Sequence, residues 1–164
     1  MNVIKKLKSR IPTGKVNDHL ARTGLILTQV LIALVFYSFG YNIDSRSNKI
    51  LGIYESPNKK SKVKFIRKDD KFYGKLIWNV NPQIKDHKNN SEDLKTLPLI
   101  GRNIFFDFIF NPYENTWVGK FYDAESGSTY DCNIYLENAG KRMMARGYLD
   151  HPLIGRTEAL KRIK

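Results

Sequence analysis

Seventeen consecutive residues, 24–40 (GLILTQVLIALVFYSFG), carry no charge, and only Thr28, Gln29 and Ser38 soften the run. A membrane-spanning helix needs about 17–25 predominantly apolar residues, so this run is long enough to be one. It divides the chain into a leader of residues 1–23, which cannot supply a core, and residues 41–164, which must fold without it. The leader holds Lys5, Lys6, Lys8, Arg10, Lys15 and Arg22 against Asp18 alone, net +5 of a formal +12. Two readings fit: a retained anchor, or the apolar centre of a signal peptide cut near Ser38 and Gly40. The 23 residues before the run favour retention, because signal peptides total roughly 15–30. A buried core helix is a third, weaker reading. The charge asymmetry across the run leaves the N-terminus in the cytoplasm and residues 41–164 outside it, as membrane-anchored or as released protein. A mean hydropathy of −0.45 excludes a multi-span membrane protein. A single cysteine, Cys132, excludes a disulfide framework and a cysteine zinc site.

Residues 41–48 (YNIDSRSN) read as a polar linker, and 49–164 as one domain. Within it, β-type runs fall at 50–55, 61–67, 71–78, 103–110, 115–122, 128–136, 142–149 and 155–162. They are separated by turn chemistry such as Ser56-Pro57-Asn58, Asp69-Asp70, Asn111-Pro112 and Ser126-Gly127. Eight short strands at this spacing predict an all-β, antiparallel up-and-down barrel preceded by one N-terminal hydrophobic helix. Alternation puts Val63 with Phe65, Phe72 with Leu76 and Trp78, Trp117 with Phe121, and Cys132 with Ile134 and Leu136 on one face. The same rule groups Ile104, Phe106, Phe108 and Phe110. The long connection 79–102, with a helical turn near 91–95, is a candidate lid or rim. So bulky an inner face leaves room for a small cavity or none, and a shallow site at the mouth is easier to accommodate.

Several strings, in order, resemble a known family: Leu51-Gly52-Ile53-Tyr54, Tyr73-Gly74-Lys75-Leu76-Ile77-Trp78, Pro98-Leu99-Ile100-Gly101, Trp117-Val118-Gly119-Lys120-Phe121-Tyr122-Asp123, Arg146-Gly147-Tyr148-Leu149 and Gly155-Arg156-Thr157-Glu158. They are similar to those of the bacterial "domain of unknown function 2147" family of exported proteins. The resemblance implies a small lipocalin-like (calycin-type) barrel, a place in the bacterial cell envelope, and no established activity. The chain departs from the family pattern at Tyr54 and Leu160, where tryptophan is usual, and at Tyr73, where cysteine is often found.

No G-x-S-x-G elbow, phosphate loop or HExxH string is present, and no cofactor or metal is implied. Three classes of function compete. The first is a non-catalytic domain binding a small amphiphilic or apolar ligand. The second is a structural or protein-interaction module of the envelope. The third is a lipid or glycan hydrolase assembled from Asp, Glu and Tyr on different strands. If Leu160 faces inward, alternation sends Glu158 and Arg156 to the same face, where with Arg146 they would select a ligand's polar end; a structural ion pair and a solvated pair are the alternatives. Tyr148, Trp78 and Trp117 complete the candidate ligand contacts. The basic hairpin 59–71 offers Lys60, Lys62 and Lys64 to an anionic membrane surface, or simply to water. An exported chain makes nucleic acid a poor partner; the membrane, through 24–40, and an unidentified envelope protein remain.

Overall fold

The computed structural model describes residues 13–149 and 154–164, with side chains undescribed at 13–21, 39 and 41–43. The basic residues of 1–12 and His151 therefore lie outside the described residues. The chain separates into two compact units, one ending at Asn42 and the other spanning Ile43–Lys164.

The first unit is most of helix α1 (Thr13–Ser47). Along 25–37 its apolar side chains are exposed on every side, Leu25, Leu27, Leu31, Ile32, Val35 and Phe36 among them. Two of the run's hydroxyls turn back on the helix: Thr28 Oγ1 donates to the Leu25 carbonyl at 2.8 Å and Ser38 Oγ to Val35 at 2.9 Å. Among the described residues no helix is long and apolar enough to cross a membrane.

The second unit is a closed antiparallel barrel of eight strands in sequence order. They are β1 (Gly52–Glu55), β2 (Ser61–Lys68), β3 (Lys71–Asn79), β4 (Asn103–Asn111), β5 (Thr116–Asp123), β6 (Ser128–Glu137), β7 (Arg142–Tyr148) and β8 (Gly155–Arg162). Each expected run is a strand. Connections alternate between two ends. One end carries the turns at 69–70, 112–115 and 138–141, and the other carries 56–60, 80–102 and 124–127.

The expected linker 41–48 is instead the last turns of α1 and the start of a 3-10 turn, Asn48–Ile50. Local bonds hold it: Ser47 Oγ donates to the Asp44 carbonyl and Asn48 Nδ2 to the Asp44 carboxylate. Ile50 then closes the first end of the barrel from within. There the Trp117 indole N–H donates to the Ser47 carbonyl at 3.0 Å. Arg162 caps the same end. Its guanidinium lies 4.8 Å from the Tyr54 ring centroid, and it donates to the carbonyls of Gly140 (2.7 Å), Leu51 (2.6 Å) and Lys49 and to the Tyr54 hydroxyl.

The interior is filled by rings. Phe65 packs edge-on to Tyr54 (5.8 Å between centroids) and against Phe105 (5.3 Å), which meets Phe121 at 4.7 Å. Gly119 makes room for Phe108, since a Cβ there would lie 2.6 Å from its ring. The inward row of β4 is a correction to the strict alternation of Ile104, Phe106, Phe108 and Phe110. Phe105 and Phe108 are the buried pair, because a bulge between Phe106 and Ile109 inserts one extra residue. Asp107 takes the left-handed conformation there (φ 57°), with its carboxylate accepting from Lys71 (2.8 Å) and Tyr73 (3.2 Å).

Candidate functional site

The second end of the barrel is covered by the connection 80–102. Asparagines start its turns: Asn79, Asn81 and Asn89 side chains each accept from the backbone N–H two residues on. A short helix, α2 (Glu92–Lys95), stands where a helical turn was expected. The returning arm docks on β3, with Gly101 N–H to the Leu76 carbonyl (2.7 Å) and Leu76 N–H to that of Arg102 (2.9 Å). Leu99, 5% exposed, enters the core, and Ile84 and Ile100 pack beside it.

A buried carboxylate ties this loop to the barrel wall. Asp86 is fully buried and accepts from Arg102 Nη1 at 3.0 Å, Tyr122 OH at 2.6 Å and Asn89 Nδ2 at 2.7 Å. An unpaired carboxylate in such a place would cost several kcal/mol, so these donors are what make the position tolerable. Burial, then the bond to Asp86, raises the pKa of Tyr122, and its hydroxyl stays protonated as a donor. Gly127, at φ 76° on the β5–β6 turn, lies against the Lys88 carbonyl so closely that any side chain would collide with it. Loop and hairpin thus touch at this one point.

Between them opens a cleft of ≈ 620 Å³. Asn89, Asn90 and Asn103 supply amides, Ser126, Ser128 and Thr129 supply hydroxyls, and Phe106, Tyr122 and Leu149 supply apolar surface. Its charged residue, Arg102, is already neutralised by Asp86. Phe106, Tyr122 and Thr129 stand on the outer face of their strands, opposite in phase to buried Phe105 and Cys132 and half-buried Phe121. Asn103 and Ser128, in phase with Phe105 and Cys132, line it from the inward side, so the cleft sits on the rim of the wall and opens to its outer face.

The expected contacts fall in several places. Glu158 and Arg156 do share the phase of Leu160, across from Ala145 and Gly147, and they bond each other at 2.7 Å. Their side chains are nevertheless 44% and 88% exposed. Arg146 is across from Thr157, one residue out of phase, and donates to its Oγ1 at 3.1 Å; it stands on the other face of the sheet from the Arg156–Glu158 pair. Tyr148 shares that outer face and donates to Asn133 (3.2 Å). Trp117 is buried at the closed end, whereas Trp78 is exposed beneath the Lys62 ammonium, 5.0 Å from its ring. Lys60 and Lys64 are exposed, and Lys62 reaches Glu55 at 3.9 Å. Cys132 is buried, and burial pushes its thiol up to about 12, which suits packing and not nucleophilic attack. Sequence reasoning missed Asp86, Arg102, Asn89 and Tyr122. Apart from the spacing of asparagines in the long loop, no local signal marks them.

Among solved structures, protein HP1028 from the human pathogen Helicobacter pylori, described as belonging to the lipocalin family, is similar to this chain. The two share 25% identity and a TM-score of 0.61, over 70% of this chain and 83% of that one. No curated protein matches. The profile of a family described as "Uncharacterized protein conserved in bacteria (DUF2147)" matches residues 52–162, from the first strand of the barrel to the last. On that match, over an eight-stranded lipocalin-like barrel, the chain belongs to the DUF2147 family.

Proposed function

We propose that this protein is a non-catalytic binding domain of the bacterial cell envelope, taking the polar end of a small amphiphilic ligand in the cleft beside the loop 80–102. The observation that carries this reading is the contrast between a ring-filled interior and an open cleft on the rim of the wall. Arg102 is paired, so the cleft holds no free charge to attract an anion, and its amides and hydroxyls suit a neutral, hydroxyl-rich head group. Leu149 and Phe106 offer the apolar flank that an alkyl or ring portion would cover. The described lining presents hydroxyls without a carboxylate or imidazole to activate them, which supports binding over hydrolysis.

The anchor reading rests on the uncharged sequence run 24–40 and not on a span within the described residues of α1. A helix apolar on all sides belongs in a core or in lipid, and these side chains are exposed. Back-bonded Thr28 and Ser38 hydroxyls reduce the cost of burying the run in hydrocarbon. In this reading residues 24–40 anchor the chain in the inner membrane and the barrel lies outside the cytoplasm. Alkaline extraction of membranes tests it: the full chain stays in the pellet, and recovery of all of it in the supernatant would contradict the anchor.

Binding is tested by titrating the full chain with a short alkyl glycoside, kept below its critical micelle concentration, and separately with a fatty acid of equal chain length. The glycoside saturates a single site that Ser126→Trp abolishes. Preference for the anionic fatty acid, or a glycoside site untouched by Ser126→Trp, would contradict the assignment.

A further inference from the structure

The seam that closes the barrel between β1 and β8 is short and leaves the first half of β8 beyond it. Strand β1 is four residues long and meets β8 only through Tyr54 with Arg162 and Glu55 with Lys161. It ends there because Ser56 N–H turns to the Ser61 carbonyl and Pro57 has no N–H to continue a ladder. In β8 the backbone groups of successive residues point to opposite sides. Arg162 N–H bonds Lys141 on the β7 side, and Ile163 N–H bonds Ile53 on the β1 side. By alternation Gly155, Thr157 and Ala159 also aim their N–H and C=O groups toward β1, beyond the point where β1 stops. Among the described residues these groups have no backbone partner. The short seam also explains why Arg156 and Glu158, inward in phase, are so exposed.

We infer that this free edge of β8 pairs antiparallel with the same edge of a second copy of the chain, about a two-fold axis at Thr157. The sequence around the axis is self-complementary in charge. With Thr157 opposite Thr157 of the second copy, Arg156 stands opposite Glu158 and Glu158 opposite Arg156, on one face of the joined sheet. Gly155 and Ala159, both small, oppose each other. Thr157 and the two Gly155–Ala159 pairs would then be hydrogen-bonded pairs, giving about six bonds. Cross-strand pairs of opposite charge stabilise such a junction, and like charges oppose it. Shifting the axis to residue 156 or 158 places Arg on Arg or Glu on Glu. The pair that would guard the edge against other registers thus selects one, and the interface is isologous.

Oxidative cross-linking of the full chain in mild detergent tests this with two cysteine variants, native Cys132 being buried. At a hydrogen-bonded pair the Cα atoms lie about 5.5 Å apart, within disulfide range. Thr157→Cys is therefore expected to give a covalent dimer. Ala159→Cys, displaced from the axis and paired with Gly155, is not. Arg156→Glu weakens dimerisation about ten-fold by replacing two attractive pairs with two repulsive ones, and adding Glu158→Arg restores it. The inference is overturned if Thr157→Cys stays monomeric, if Ala159→Cys cross-links equally well, if Thr157→Cys is captured by a different protein in place of its own copy, or if the charge-swapped double variant fails to recover.

Discussion

The two ends of the barrel solve the same problem with different chemistry. At the closed end, Trp117 and Ile50 are buried, and Arg162 bonds three carbonyls around the Tyr54 ring. At the other end, a long loop is fastened by one buried carboxylate and leaves a polar cleft beside it. The first arrangement buries apolar area with a few hydrogen bonds to satisfy what remains, and area burial dominates folding stability. The second relies on directional bonds to Asp86, which place side chains without filling the space around them. The difference teaches that closure and exposure are divided between the ends: one holds the fold, the other holds a surface open.

The sharpest way to break this comparison is to damage each end in turn. Trp117→Ala leaves a cavity and an orphaned Ser47 carbonyl, and is expected to cost about 3–5 kcal/mol of global stability, read as a lowered urea midpoint. Asp86→Ala is expected to cost about 2–4 kcal/mol, somewhat below a fully buried pair because Arg102 is partly solvated. Its signature is local. Amide exchange should accelerate across 84–102 while strands β5–β7 keep their protection. Uniform acceleration would show that the loop is part of the barrel's cooperative unit.

These two residues also mark how far the sequence could be read. All eight strands were legible, because alternation and turn residues are local properties. The β4 row was misphased because a bulge depends on Asp107 meeting Lys71 and Tyr73, 36 and 34 residues away. Asp86 was invisible for the same reason: its partners Arg102 and Tyr122 lie 16 and 36 residues distant. Arg162 looked like another surface charge in a basic chain until the barrel closed and brought it to Lys49 and Leu51. The phase of Arg156 and Glu158 could be read from β8 alone, but their exposure could not, since it depends on where β1 ends.

A pH series sharpens the comparison in the core between the ends. Burial raises the Cys132 thiol and the Tyr54 hydroxyl to about 12 each, from ordinary values of 9.0 and 10.0. Both are neutral when folded, so their contribution is complete below about pH 9. As the pH rises the unfolded chain ionises first, and stability falls until the folded groups ionise near 12, by about 1.4 kcal/mol per pH unit for each group. Cys132→Val should remove the onset near pH 9 and leave that of Tyr54 near 10. An unchanged onset in urea titrations would mean that the thiol is not buried as described. The smallest effect belongs to the cleft: Thr129→Trp, at an exposed side chain on its rim, should move stability by no more than about 0.5 kcal/mol.

The central claim is that the ligand sits on the rim of the wall and not in the ring-filled interior, and native mass spectrometry of the full chain, purified from its own host in mild detergent, tests it most directly. The wild type is expected to carry a stoichiometric neutral adduct that Thr129→Trp, on the outer face, loses and Ala145→Leu, which crowds the interior, retains. An adduct kept by Thr129→Trp but lost by Ala145→Leu would place the ligand within the barrel and contradict the account.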